Sequence, residues 1–189
     1  MGQPSARKLV IIGGGAAGFF AALAAAERAL RAQAPVDISI LESSDSLLKK
    51  VKISGGGRCN VTHNCFDVMK FCENYPRGKK ELISLMQRFQ AQDTVEWFAK
   101  RGVKLVAEED GRMFPDTDTS QTIIDCFLNE AERLNVKIFK NHTVESIEVL
   151  SSGSRFCVKV KDRSEFLADS ILVATGSSPA GYRIAKDLG

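Results

Sequence analysis

The sequence predicts an α/β domain, with helices packed on a parallel sheet and an antiparallel β-meander replacing one helical crossover. Three observations predict it. First, an apolar run at Lys8–Ile12, an alanine-rich helix-former at Phe19–Ala32 and a second apolar run at Val36–Leu41 follow each other within about 35 residues. Strand, helix and strand joined so tightly make a parallel pair with a helical crossover. Second, after a third apolar strand at Val136–Phe139, the pattern turns to short alternating runs at Val144–Leu150, Phe156–Lys161 and Glu165–Leu167, separated by Ser151–Ser154 and Asp162–Ser164. That is a small antiparallel meander. Third, Ser170–Ala174 returns to a fully apolar strand and stops at Thr175-Gly176.

The remaining elements follow from local signals. Pro35 closes the first helix. Ser43–Thr62, with its glycine cluster at Gly55–Gly57, reads as an ordered loop. Glu81–Arg101 reads as an amphipathic helical region with Leu82, Leu85, Met86, Phe89, Val95 and Phe98 facing inward. Val103–Ala107 is strand-like, and Asp110-Gly111 turns the chain before Met113-Phe114-Pro115. Ser120–Leu134 is a further amphipathic helix, capped by Thr119 or Ser120. A last helix begins near Gly181. The expectation is one domain over residues 1–189, with helical segments inserted at about 65–134.

Composition narrows the function. Hydrophobic residues at 44% and charged residues at 26% fit a packed globular chain and exclude disorder. The net charge is only +3, and the basic clusters Lys49, Lys50, Lys52 and Arg77, Lys79, Lys80 carry no interleaved aromatics, so no nucleic-acid partner is expected. The apolar stretch from Leu9 to Ala26 is broken by Gly13–Gly15, so it suits neither a membrane span nor a secretory signal. Five cysteines with no C-x-x-C pair point to reduced thiols, hence to cytoplasm or an organelle interior. Cys59, Cys65, Cys72 and His63 fit no common zinc spacing, and no metal is expected.

Gly13, Gly15 and Gly18 form G-x-G-x-x-G between the first strand and the first helix. The three glycines serve a tight turn, a close backbone approach to phosphate, and close packing of helix on strand. With Ala16 and Ala17 they place unpaired N–H groups and the positive end of a helix dipole where a pyrophosphate would sit. Glu42 ends the second strand 24 residues beyond Gly18, placed with Ser43 to accept from the ribose hydroxyls of an adenosine. Its charge repels a 2′-phosphate, which leaves FAD or NAD. The meander crossover and the closing Ala174-Thr175-Gly176 favour FAD, since that crossover typifies flavoproteins of the glutathione-reductase type with a Rossmann-like FAD domain. In Ser54–Thr62, Gly55, Gly56 and Gly57 clear a path for amides toward an anion. Arg58 adds a fixed charge, and Asn60 and Thr62 add hydrogen-bond capacity toward a flavin edge or ribityl chain. Cys59 has no resolving cysteine nearby, and His63 and His142 have no partner pattern, so no catalytic residue is assigned.

Gly13–Gly18, Ser54–Thr62, Gly111-Arg112-Met113-Phe114-Pro115 and Val173-Ala174-Thr175-Gly176 together resemble the BaiN-like (YhiN-like) family of FAD-dependent oxidoreductases. Members of that family are labelled NAD(P)/FAD-dependent or aminoacetone oxidase-like. The resemblance runs along nearly the whole chain. It implies bound FAD, with the pyrophosphate on Gly13–Gly18, the ribose on Glu42, the flavin near Arg58–Thr62 and the adenine against the Val144 backbone. It also implies a longer protein, with an inserted substrate domain and a returning FAD segment, so the chain is expected to be its N-terminal part. The stretch Thr175–Tyr182 is shorter than the corresponding family loop. A pyridine nucleotide is the expected reductant, although no second G-x-G-x-x-G is present to bind it. Two alternatives stay open: a non-catalytic nucleotide-binding fragment or interaction module, and an NAD-linked dehydrogenase.

Overall fold

The computed structural model describes residues 6–151, 155–161 and 165–189. In chain order it contains β1 (Arg7–Ile12), α1 (Ala16–Arg31), β2 (Val36–Leu41), α2 (Lys49–Ile53), a 3-10 turn (Ser54–Gly57) and β3 (Thr62–His63). Next come α3 (Val68–Glu73), α4 (Lys79–Met86), α5 (Ala91–Ala99), β4 (Leu105–Ala107), β5 (Arg112–Pro115) and α6 (Ser120–Arg133). The chain closes with β6 (Lys137–Phe139), β7 (Val144–Val149), β8 (Phe156–Val160), β9 (Phe166–Ala168), β10 (Ser170–Val173) and α7 (Pro179–Asp187). It divides into two compact units, Met1–Lys50 with Phe127–Gly189, and Val51–Cys126.

The first unit carries the expected parallel sheet, in the order β10-β1-β2-β6. β1 lies between two strands, which explains its unbroken apolar run: Ile11 pairs with Ile40 on one side and Leu172 on the other. α1 buries one stripe, Gly18, Phe19, Ala22, Leu23 and Ala26, at helical spacing. The Phe19 ring lies 6.0 Å from that of Phe127. Gln33 adopts a left-handed conformation (φ 51°) just past the helix end, and the Ala34 N–H donates to the Ala29 carbonyl at 3.1 Å.

The meander forms a second sheet, β7-β8-β9, with a register shift between Val144 and Ser146. Val144, Val158, Val160 and Ala168 share a buried cluster with Val10, Ile12, Leu41 and Ile184. Asp169 alone links β9 to β10; its carboxylate accepts from the Lys8 N–H at 2.8 Å while its own N–H donates to the Lys8 carbonyl at 2.9 Å. The turns expected at Ser151–Ser154 and Asp162–Ser164 lie outside the described residues, apart from Ser151.

The second unit holds the antiparallel sheet β3-β5-β4 and the helices α3, α4 and α5. Trp97 and Phe98 are buried there edge to face, 4.9 Å apart. Here the structure corrects the sequence reading. Glu81–Arg101 is two helices, because the chain leaves helical geometry after Gln87 and restarts at Ala91, where the Asp93 carboxylate accepts from the Gln90 N–H at 2.8 Å. Leu85 and Phe89, expected inside, are 58% and 38% exposed: α4 fully buries none of its residues, and Phe89 falls in the break between the helices. Ser43–Thr62 is only partly loop, as α2 and the 3-10 turn lie within it. α3 had no sequence signal beyond Asp67, whose carboxylate caps it by accepting from the N–H groups of Met69 and Lys70. Thr119 is the residue whose hydroxyl accepts at the head of α6, from the Gln121 N–H at 3.3 Å, whereas the Ser120 hydroxyl donates to the Lys52 carbonyl. α7 starts at Pro179, ahead of Gly181, with Ser178 as its cap. Among the described residues, no helix is long and apolar enough to cross a membrane.

Candidate functional site

The first unit gathers most of the candidate residues at one end of β1. Gly13 leaves the strand with φ 116°, a conformation L side chains rarely adopt, and its N–H donates to the Leu41 carbonyl at 2.8 Å. A side chain on Gly13 would sit 2.5 Å from the Ala174 carbonyl oxygen, and one on Gly14 2.8 Å from Leu47 Cδ2. One on Gly18 would land on the Gly13 carbonyl oxygen. Gly15 differs: the space beside it contains no atom within 4 Å. It caps α1, whose head has no side-chain cap and no acidic residue in its first turn. First-turn amides such as those of Ala16 and Ala17 lack intrahelical acceptors. Open space, free N–H groups and a positive dipole end therefore coincide, which fits a diphosphate.

Glu42 is fixed at both ends. Its N–H donates to the Phe139 carbonyl at 2.9 Å, and its carbonyl accepts from the His142 N–H at 2.8 Å. Its Oε2 accepts from the Gly14 N–H at 2.8 Å. Its Oε1 accepts from the Ser44 N–H (2.9 Å), the Ser44 hydroxyl (2.7 Å) and the Ser43 hydroxyl (3.2 Å). Burial opposes ionisation of this carboxyl, but the donors from Gly14, Ser44 and Ser43 outweigh it and hold its pKa below the ordinary value of 4.5. The carboxylate thus braces the glycine turn. Oε2 receives one donor and so retains acceptor capacity for a hydroxyl.

The end of β10 forms the wall behind the turn. The Ala174 N–H donates to the Ile12 carbonyl at 2.8 Å. The Thr175 hydroxyl occupies the space where Gly181 lacks a side chain, and Gly176 carries φ 62°. Gly13–Gly18, Glu42, Ser43 and Ala174–Gly176 are thereby one cluster, while Val144 begins β7 inside the buried core. Sequence reasoning passed over three participants. Gly14 donates to Glu42, Ser44 clasps it with both its N–H and its hydroxyl, and Leu48 N–H returns to the Gly14 carbonyl at 2.9 Å. The only sequence hint of these was the serine pair after Glu42. Lys50, read as surface charge, donates to the Ser177 hydroxyl at 2.7 Å.

The second glycine loop belongs to the second unit. Gly55, Gly56 and Gly57 all have positive φ (56°, 70° and 90°), so three glycines are required. A side chain on Gly55 would meet Phe114 Cε1 at 2.7 Å, whereas Gly56 faces open space. Arg58 is not a free charge. Its Nη1 donates to Glu108 Oε1 at 2.5 Å and to Asp118 Oδ1 at 3.3 Å, and its guanidinium stacks 4.1 Å above the Phe114 ring. Hydrogen bonding to Glu108 leads the causes that raise its pKa. Cys59 is buried with φ 65°, and burial pushes its thiol pKa up, the opposite of an activated thiolate. Asn60 is exposed, and Thr62 pairs with Met113 in the sheet.

Comparison with known proteins bears on these clusters. The family described as "HI0933-like protein Rossmann domain" matches residues 7–189. The chain is 29% identical over 190 residues to the 3-dehydro-bile acid delta(4,6)-reductase of Clostridium scindens, covering 96% of this chain and 44% of that protein. It is 29% identical over 188 residues to the ribosomal RNA dihydrouridine synthase of Escherichia coli, covering 95% and 44%. The chain therefore spans under half the length of these curated relatives. Among solved structures, THI4 of Thermovibrio ammonificans superposes with a TM-score of 0.63 at 12% identity, covering 96% of this chain and 60% of that one, a likeness of fold. FAD is the cofactor of the matching family, in keeping with the open turn at Gly15. The chain belongs to the HI0933-like Rossmann-domain family of FAD-dependent oxidoreductases.

Proposed function

We propose that the protein adds two hydrogens across a carbon–carbon double bond conjugated to a carbonyl, and that this chain is the part holding FAD. The observation that carries the cofactor assignment lies within one turn: the spaces beside Gly13, Gly14 and Gly18 are filled by the chain, and the space beside Gly15 is open at the head of α1. The N–H groups of Ala16 and Ala17 would take pyrophosphate oxygens there. Glu42, with Ser43 beside it, would accept from the adenosine ribose through Oε2. The Val144 backbone would meet the adenine, and Ala174, Thr175 and Gly176 would border the diphosphate. In the second unit, Gly56, Gly57, Asn60 and Thr62 would serve the flavin end, with Arg58 and Cys59 holding the loop in shape through the Glu108 pair and tight packing. FAD, when bound, supplies a two-electron carrier between reductant and substrate.

The substrate class rests on chemistry shared by two relatives. One is named for reducing the Δ4,6 system of a 3-dehydro bile acid, the other for making dihydrouridine in ribosomal RNA. Both names describe saturation of a double bond conjugated to a carbonyl. In net terms, a reduced pyridine nucleotide gives up a hydride, solvent gives a proton, the double bond becomes single and the nucleotide leaves oxidised. A small molecule suits this chain better than RNA, because a net charge of +3 over 189 residues is a weak footprint for a polyanion.

The test uses the full-length polypeptide. FAD should copurify, identified by mass spectrometry, and oxidation of NADH or NADPH under anaerobic conditions should require 2-cyclohexenone and ignore cyclohexanone. Equal rates with both ketones would overturn the double-bond reading, and a colourless protein that refuses added FAD would overturn the whole proposal. Retention of ribosomal RNA on a filter at moderate salt would replace the small-molecule substrate with RNA.

A further inference from the structure

The second unit has a pocket of its own, about 350 Å³ in volume, whose lining shares only Asn60 and Thr62 with the cofactor assignment. Thr62 and His63 of β3, Phe71 and Tyr75 at the end of α3, and Phe89 and Gln90 at the α4–α5 junction line it. The helix break at residues 87–90 is thus part of its wall. Phe71, Tyr75 and Phe89 give the lining three aromatic rings. Beside them His63 Nδ1 is buried with no hydrogen-bond partner among the described residues, and the buried Gln90 side-chain oxygen faces only the Asp93 N–H of its own helix cap.

The chemistry of the two atoms agrees. His63 Nε2 lies 3.0 Å from the Asp110 carbonyl oxygen, which can only accept, so Nε2 carries the hydrogen. In the neutral ring Nδ1 is then a lone-pair acceptor, as the Gln90 oxygen is. Buried acceptors left unpaired are rare in folded proteins, because desolvating them without a donor is costly. His63 Nδ1 in the lining of a pocket calls for a donor from outside the chain, and the Gln90 oxygen keeps a second lone pair for one. A cavity of roughly 150 Å³ suffices for benzene, so this one has room for two fused rings.

We infer that this pocket binds a small planar aromatic or heteroaromatic compound through its N–H or O–H donors, with the ring against Phe71, Tyr75 and Phe89. The proposal does not depend on the cofactor reading. Its probe is indole, compared with 1-methylindole, which keeps the rings and loses the donor.

Binding is followed by NMR on isotopically labelled chain, with and without FAD. Indole should bind saturably in both conditions and move the His63 Nδ1 resonance, and 1-methylindole should bind about tenfold more weakly. Thr94→Phe, which fills the pocket from α5, should abolish binding. Gln90→Met should shrink the indole preference several-fold, and it carries the test should Thr94→Phe fail to fold. Absent or unsaturable binding, equal affinity for the two probes, or indifference to both substitutions would overturn the proposal. So would indole binding that FAD abolishes, since the pocket would then belong to the cofactor.

Discussion

Replacing Gly15 with valine separates the fold from the ligand. The Gly15 backbone is extended (φ −90°, ψ −176°), a conformation valine adopts without strain, and no atom lies within 4 Å of the added carbon. A valine at the cap costs a few tenths to about 1 kcal/mol relative to glycine, offset in part by the entropy it removes from the unfolded chain. Stability without cofactor should therefore change by less than about 1 kcal/mol. FAD binding should not survive so lightly. The branched side chain occupies the approach of the pyrophosphate, and losing one charge-assisted amide–phosphate bond at about 1.5–3 kcal/mol weakens affinity roughly 10- to 160-fold. Urea unfolding of the apoprotein measures the first quantity, and flavin fluorescence titration measures the second. A variant that keeps FAD affinity within about threefold of the parent would remove the diphosphate from Gly15.

Neighbouring positions should behave differently. Gly18→Ala drives a carbon onto the Gly13 carbonyl, so it should cost about 1–3 kcal/mol in urea unfolding even without FAD, despite alanine's better helix propensity. Glu42→Ala should weaken FAD binding by roughly one to two orders of magnitude in the same titration, through lost hydrogen bonds to a charged acceptor; an unchanged affinity would take Glu42 off the ribose. Glu42 also sets a pH dependence: its folded pKa is depressed, so its stabilisation is complete above its ordinary 4.5 and disappears as the pH falls through the folded value. Glu42→Gln should accordingly flatten the acid limb of stability against pH, and an unaltered limb would show that the carboxylate does not brace the turn. Arg58→Lys keeps the charge but loses the planar stack on Phe114, so the melting temperature should fall, and raising the salt concentration should not restore it.

The sequence was most informative where geometry is local. The turn at Gly13–Gly18 joins a strand to the helix that follows it, so spacing alone placed it, and the change to period-two alternation after Thr143 placed the meander. What escaped was set by distant partners. Arg58 meets Glu108 and Asp118, 50 and 60 positions away, so its engagement had no local signature. Gly14 reaches Glu42 across 28 positions and had looked like a spacer. The break between α4 and α5 contains neither glycine nor proline, and apolar periodicity runs straight through Gln87–Gln90; the reciprocal cap between Gln90 and Asp93 marks the start of the new helix.

The fit of Gly13 against Ala174 has a consequence for biosynthesis. The two residues are 161 positions apart, so the ribosome delivers the glycine turn long before the strand that backs it. Pairings between such distant strands form slowly and only once the intervening chain has been made. Capture of FAD should then be a late event in maturation, and pulse-labelled amides at Gly13–Gly15 should be among the last in the first unit to gain protection from exchange.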